Sequence, residues 1–60
     1  MVSTYSIQEK QIDGRYWVTE THTLDDGSVR QFNYLADANA NVPAIMAEHV
    51  NDINTELANG

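Results

Sequence analysis

Arg15-Tyr16-Trp17-Val18-Thr19-Glu20-Thr21-His22-Thr23-Leu24 is the stretch that decides the fold. Aromatic and β-branched residues dominate it, and these suit a pleated, half-buried surface. Turn residues close it at both ends, Asp13-Gly14 before and Asp25-Asp26-Gly27-Ser28 after. A strand bounded in this way, with further strand-like runs on either side, reads as the middle of an antiparallel meander.

Working outward, Tyr5 to Ile12 reads as the first strand, with residues 1–3 a loose start. Asp-Gly is a strong hairpin signal, because both central positions of a type I′ turn need positive φ. Such a turn at Asp13-Gly14 sets Ile12 opposite Arg15, Lys10 opposite Trp17, Ile7 opposite Glu20 and Tyr5 opposite His22. The second turn has two solutions. Asp25-Asp26-Gly27 can form a type I turn with Gly27 left-handed and a bulge, or a tighter Asp26-Gly27 turn can pair Leu24 with Val29. The choice matters, since a one-residue slip sends every side chain of the third strand, Val29 to Leu35, to the other face.

After the connector 36–40, Asn41 is a good helix N-cap, with Pro43 in the first turn where its missing N–H costs nothing. A helix over about 42–58 follows, and Asn59-Gly60 supplies a stop. Val42, Met46, His49, Val50, Ile53 and Leu57 form one apolar-weighted stripe at helical spacing. Glu48, Asp52 and Glu56 recur every four residues away from its centre, with Ile45 among them. The expected fold is therefore α+β, a three-stranded antiparallel β-meander (about 5–12, 15–24 and 29–35) followed by one helix packed on one sheet face (βββα). It forms one small domain spanning 1–60.

Composition bounds the rest. A chain of 60 residues buries only about 60% of the surface that its unfolded form exposes, so its core is marginal on its own. There is no cysteine, hence no disulfide and no thiolate ligand, and only two histidines. No metal and no cofactor is expected. The net charge is −6, from nine acids against Lys10, Arg15 and Arg30. That balance argues against a nucleic-acid partner, which needs basic groups to displace phosphate counterions, and against an anionic membrane surface. Met1-Val2-Ser3-Thr4 lacks the charged and apolar segments of a signal peptide. The expected location is the cytoplasm or a particle assembled there.

Several constellations invite a functional reading. Glu20 and His22 share one strand face and His49 lies on the helix stripe, so the three can converge. The pattern favours a Glu20–His22 hydrogen-bonded pair at the edge of the sheet–helix interface, with His49 an amphipathic border residue and no metal or acid–base role. Asp25-Asp26-Gly27-Ser28 resembles the start of a calcium loop, but a strand follows at once and turn chemistry explains it. The acidic row is a solvated helix face, or a surface for a basic partner. No nucleophile, phosphate loop or serine–histidine–acid set is evident, so no enzyme is expected.

The aromatic content is the stronger signal. Tyr16, Val18, Glu20, His22 and Leu24 lie on one face of the middle strand, and Trp17, Thr19, Thr21 and Thr23 on the other. One helix can cover one face only, and the Tyr16–Val18 side is the one expected beneath it. Trp17, Thr19, Thr21, Phe32, Tyr34 and Ile45 are the candidate interface residues, since Trp and Tyr are enriched at protein interfaces.

The run Gly14-Arg15-Tyr16-Trp17-Val18-Thr19-Glu20-Thr21-His22-Thr23, then Gly27, then Tyr34-Leu35-Ala36 leading into a short helix, resembles short proteins encoded in the structural-gene region of tailed bacteriophages. The similarity spans roughly residues 14–57. It implies a virion-associated or assembly role, with other protein subunits as partners. Pro43 and the asparagines of the helix depart from the Ala/Arg-rich helix of that group. The alternative from a different class is an acidic regulatory protein that blocks a host nucleic-acid-binding factor.

Overall fold

The computed structural model describes residues 1–10 and 13–60. Three strands, β1 (Val2–Lys10), β2 (Tyr16–Thr23) and β3 (Val29–Ala36), precede one helix, α1 (Val42–Asn59). The strands pair antiparallel in the order β1-β2-β3, so the sheet is a meander with β2 in the middle. This is the βββα architecture expected from the sequence.

The two turns behave differently from one another. In the second, Gly27 N–H donates to Leu24 O at 3.0 Å and Leu24 N–H donates to Ser28 O at 2.8 Å, with Gly27 at φ +89°. This is the three-residue loop with a bulge. Asp26 reinforces it by accepting from Ser28 N–H and Oγ–H. The register that follows places Glu20 opposite Phe32 and Val18 opposite Tyr34.

The first turn corrects the expected pairing. Among the described residues of this turn Gly14 takes positive φ, at +90°, and Lys10 pairs with Tyr16 instead of Trp17, so the register of a two-residue Asp13-Gly14 turn is not kept. Asp13 instead folds back to accept from Arg15 N–H at 3.1 Å and from its guanidinium Nε–H at 2.7 Å. The ladder shifts between Ile7 and Lys10, and the pairs are Lys10 with Tyr16, Ile7 with Val18 and Tyr5 with Glu20. The expected partners of Lys10, Ile7 and Tyr5 (Trp17, Glu20 and His22) are each displaced. At Ile7 and Tyr5 the displacement is two residues, which preserves the face because strand side chains alternate with period 2. The pairing of Ile12 with Arg15 lies outside the described residues. β1 also begins earlier than expected: Val2 pairs with Thr23 and Ser3 with His22, and the Met1 ammonium binds Asp25 at 2.7 Å. Residues 2 and 3 are strand.

α1 starts as its sequence dictates. Asn41 Oδ1 accepts from Ala44 N–H at 3.2 Å, Pro43 occupies the first turn, and Gly60 N–H closes the other end on Glu56 O at 2.9 Å. The helix lies over the Val18 face of the sheet. Val18, Ala36 and Val42 form the core cluster, with Tyr34 and Ala40 packed against it, and Ile53 and Leu24 are buried further along. Met46, His49 and Val50 are half-buried, as the stripe requires. Two positions depart from the wheel. Ile45, expected among the acids, is half-buried. Leu57, assigned to the stripe, is half-exposed beside the second turn, where it lines a depression with Met1, Leu24, Asp25, Asp26 and Asn54.

The result is thin and long, 39 × 18 × 14 Å with a radius of gyration of 12.7 Å. A compact globule of this length has about 10.4 Å by the usual scaling. One helix on one side of a three-stranded sheet leaves a whole sheet face uncovered.

Candidate functional site

Two features stand out, one on each face of β2. Beneath the helix, the centre of the interface is polar. Glu20 and His22 are both 0% exposed, more buried than most of the apolar core. Strand alternation puts them on the same side of β2 as Val18, and the register brings Phe32 and Tyr34 of β3 alongside.

Glu20 is the hub. Its Oε1 lies 2.8 Å from His22 Nε2 and 2.9 Å from His49 Nδ1, and its Oε2 lies 2.8 Å from His49 Nδ1. Tyr34 Oη donates a short hydrogen bond to Oε2. An ionised carboxylate only accepts, so His22 Nε2–H, His49 Nδ1–H and Tyr34 Oη–H must each donate. In the neutral imidazole, His22 Nδ1 then accepts from Ser3 Oγ–H, 2.8 Å away. The histidine rings also pack on aromatics. Phe32 lies 5.4 Å from His22 edge-on and 4.6 Å from His49, and Tyr34 meets His49 edge-on at 5.6 Å.

The electrostatics follow from this arrangement. Burial pushes the Glu20 carboxyl up, but the hydrogen bonds from Tyr34, His49 and His22 outweigh it and hold the group below the ordinary carboxylate range. Burial, and then the bond to Glu20, push the Tyr34 phenol well above its usual value. Buried polar groups that are fully satisfied rigidify an interface, and partly satisfied ones destabilise it. Here no buried side-chain nitrogen or oxygen lacks a partner among the described residues.

The structure brings Glu20, His22 and His49 together, where the sequence favours a Glu20–His22 pair with His49 only at the border, and their other partners come from places the sequence does not point to. The sequence reads Ser3 as part of a loose start and groups Tyr34 with the interface aromatics. Ser3–His22–Glu20 has the order of a hydroxyl–imidazole–carboxylate relay, as acyl-transfer enzymes use. Yet His22 is wholly enclosed beneath the helix. Among the described residues, no three His, Asp or Glu side chains are placed to hold a metal. What the network does is pin α1 to the sheet.

The second feature is the open face. β2 contributes Trp17, Thr19, Thr21 and Thr23, and the register adds Val2, Thr4 and Ser6 from β1 and Val29, Gln31, Asn33 and Leu35 from β3. Gln8 joins them at a shallow depression lined with Trp17, Thr19 and Asn33. None of these residues carries a charge, in a chain of net −6. Trp17 is 41% exposed, and Val2, Val29 and Leu35 are exposed around it. Thr19 Oγ1–H donates to Asn33 Oδ1 at 2.9 Å across the two strands.

The expected interface set divides on this geometry. Trp17, Thr19 and Thr21 share the open face. Phe32 and Tyr34 lie on the opposite face, against His49 and Glu20, because the bulged second turn fixes their parity with Val18. Ile45 is on the helix and half-buried. All three residues of the acidic row are exposed, and Glu56 binds Arg30 at 2.7 Å. No helix among the described residues is long and apolar enough to cross a membrane.

No family model, curated protein or solved structure matches the chain.

Proposed function

We propose that the chain is a small, non-enzymatic protein–protein interaction module whose open sheet face binds another protein subunit. The setting implied by the resemblance of residues 14–57 is a tailed-phage particle, as a virion structural or assembly accessory protein. One observation carries the reading: among the described residues, a face three strands wide holds no charged side chain although the chain as a whole is strongly acidic. A solvated sheet face ordinarily carries charge, whereas the core of a binding patch is depleted of it and enriched in Trp. Trp17 stands in the β2 row as a rigid anchor, and the threonines beside it offer hydroxyls on a flat surface.

The test is capture of virion proteins by the tagged chain, alongside the same chain carrying Trp17→Asp or Thr21→Lys. The expected result is a specific subunit retained by the parent and lost by both variants. Retention by both variants overturns the reading. So does loss on replacing Glu48, Asp52 and Glu56 with glutamine while Trp17→Ala is tolerated, which is the signature of the acidic inhibitor.

A further inference from the structure

We infer that a second copy of this chain pairs with it edge to edge, β1 against β1 in antiparallel orientation, joining the two sheets into one. The inference does not rest on the open-face reading, because it concerns a different surface.

The backbone directions come first. Leu24 donates its N–H to Ser28 O and accepts Gly27 N–H on its own carbonyl, so both its backbone groups face β3. In an antiparallel ladder, successive residues turn these groups to alternate sides. Thr23, Thr21 and Thr19 therefore face β1, where their partners are Val2, Thr4 and Ser6. Ser3, Tyr5 and Ile7 turn their N–H and C=O groups the other way, to the outer edge of the sheet.

An outer edge of this kind is normally guarded by charged side chains, proline or a bulge. Val2-Ser3-Thr4-Tyr5-Ser6-Ile7-Gln8 contains no Lys, Arg, Asp, Glu, Pro or Gly. The irregularity in β1 falls between Ile7 and Lys10, at the end of this stretch. The opposite edge, β3, is protected: it carries Arg30, held in an ion pair with Glu56. Tyr5 is 40% and Ile7 51% exposed, although both lie on the helix side of the sheet.

The occupant follows from symmetry and charge. A two-fold axis at Tyr5 sets Tyr5 against its own copy and Ser3 against Ile7, with the same hydrogen bonds made in both directions. A self-complementary patch of this kind is what an isologous dimer requires. Two chains of net −6 repel over most of their surface, and Val2–Gln8 is the stretch along which they meet without a charge on either side. Tyr5 and Ile7 then cover one another across the axis. The open faces become continuous, since Val2, Thr4 and Ser6 lie on the open face and on the paired edge strand.

The test combines sedimentation velocity of the full chain over a wide concentration range with amide hydrogen exchange at high concentration. A dimer is expected, with Ser3, Tyr5 and Ile7 amides protected when dimeric and exchanging freely on dilution. Thr4 and Ser6, bonded within the sheet, stay protected in both states. Ile7→Lys is expected to abolish the dimer and the protection at Ser3 and Tyr5, with the far-UV spectrum retained. Trp17→Asp is expected to leave the dimer intact. A monomer at every concentration overturns the inference without touching the open-face reading. A dimer in which Ser3, Tyr5 and Ile7 exchange freely, or one lost with Trp17→Asp and kept with Ile7→Lys, overturns it in favour of face-to-face packing. The exchange pattern of the parent chain decides the matter even if a variant fails to fold.

Discussion

His49 Nδ1 on the helix lies 2.8 Å from Glu20 Oε2 on the central strand, a bond between residues 29 apart in the chain. It is the polar tie between the two layers. Glu20 is wholly buried and His49 is 26% exposed at its side chain. The two ends of the bond therefore differ in what water can replace. Removing one member of a buried, hydrogen-bonded set costs about 3–5 kcal/mol. Glu20→Ala is expected to lose about that much, most of the stability of about 5 kcal/mol at the low end of the range for small domains. His49→Ala is expected to cost about 1–3 kcal/mol, because solvent reaches the vacated site. Urea unfolding followed by far-UV circular dichroism measures both. Equal losses would show that the carboxylate is not the centre of the network.

Acid should destabilise the fold through this same carboxylate. The folded Glu20 carboxyl is held below its unfolded value of about 4.3, by bonds that outweigh its burial. A depressed folded pKa gives stability that is fully present above the unfolded value and lost as pH falls through the folded one. The expected acid transition lies below about pH 4, and Glu20→Gln should flatten that limb while lowering stability at neutral pH. An acid limb unchanged by Glu20→Gln would assign it to other carboxylates.

Alkali should act through Tyr34, with the opposite sign. Its phenol is raised by burial and by the bond to Glu20. A raised folded pKa gives stability that is present below the unfolded value, about 10, and lost as pH rises, because the unfolded phenol ionises first. Tyr34→Phe is expected to cost about 1–3 kcal/mol at neutral pH by leaving Glu20 one donor short, and to remove most of the alkaline loss. Stability measured from pH 7 to 11 tests this.

Gly27 sits at φ +89° with open space where a Cβ would stand. Gly27→Ala therefore meets no clash, and its expected cost is the left-handed backbone term alone, about 1–2 kcal/mol. Gly27→Asn should cost less, since Asn tolerates that region. A loss well above this range would mean that the substitution also slips the register of β3.

Trp17 and Ile53 separate folding from binding. Ile53 is almost wholly enclosed against the sheet, and Ile53→Ala is expected to cost about 2–5 kcal/mol. Trp17 stands on the open face, and Trp17→Ala is expected to change stability by no more than about 0.5 kcal/mol while removing partner capture. Thermal unfolding of the two variants, with capture assayed in parallel, distinguishes the roles.

The sequence by itself determined the elements and their order. The Asp26-Gly27 turn, β-branched alternation and the Asn41-Val42-Pro43 cap are local signals, and local backbone preferences are enough to show that three strands and then a helix form in this order. It also determined that one helix cannot cover two faces, which follows from counting. Tertiary structure alone decided the register of the first hairpin and the start of β1. Both depend on Asp13 folding back on Arg15 and on Ser3 meeting His22 across the sheet. It decided as well that Phe32 and Tyr34 lie under the helix instead of beside Trp17, because a turn of one residue more or less reverses a whole strand. Convergence on Glu20 draws Ser3, His22, Tyr34 and His49 from all four elements. No local pattern encodes such a meeting; it exists only once the sheet has formed and the helix has closed over it.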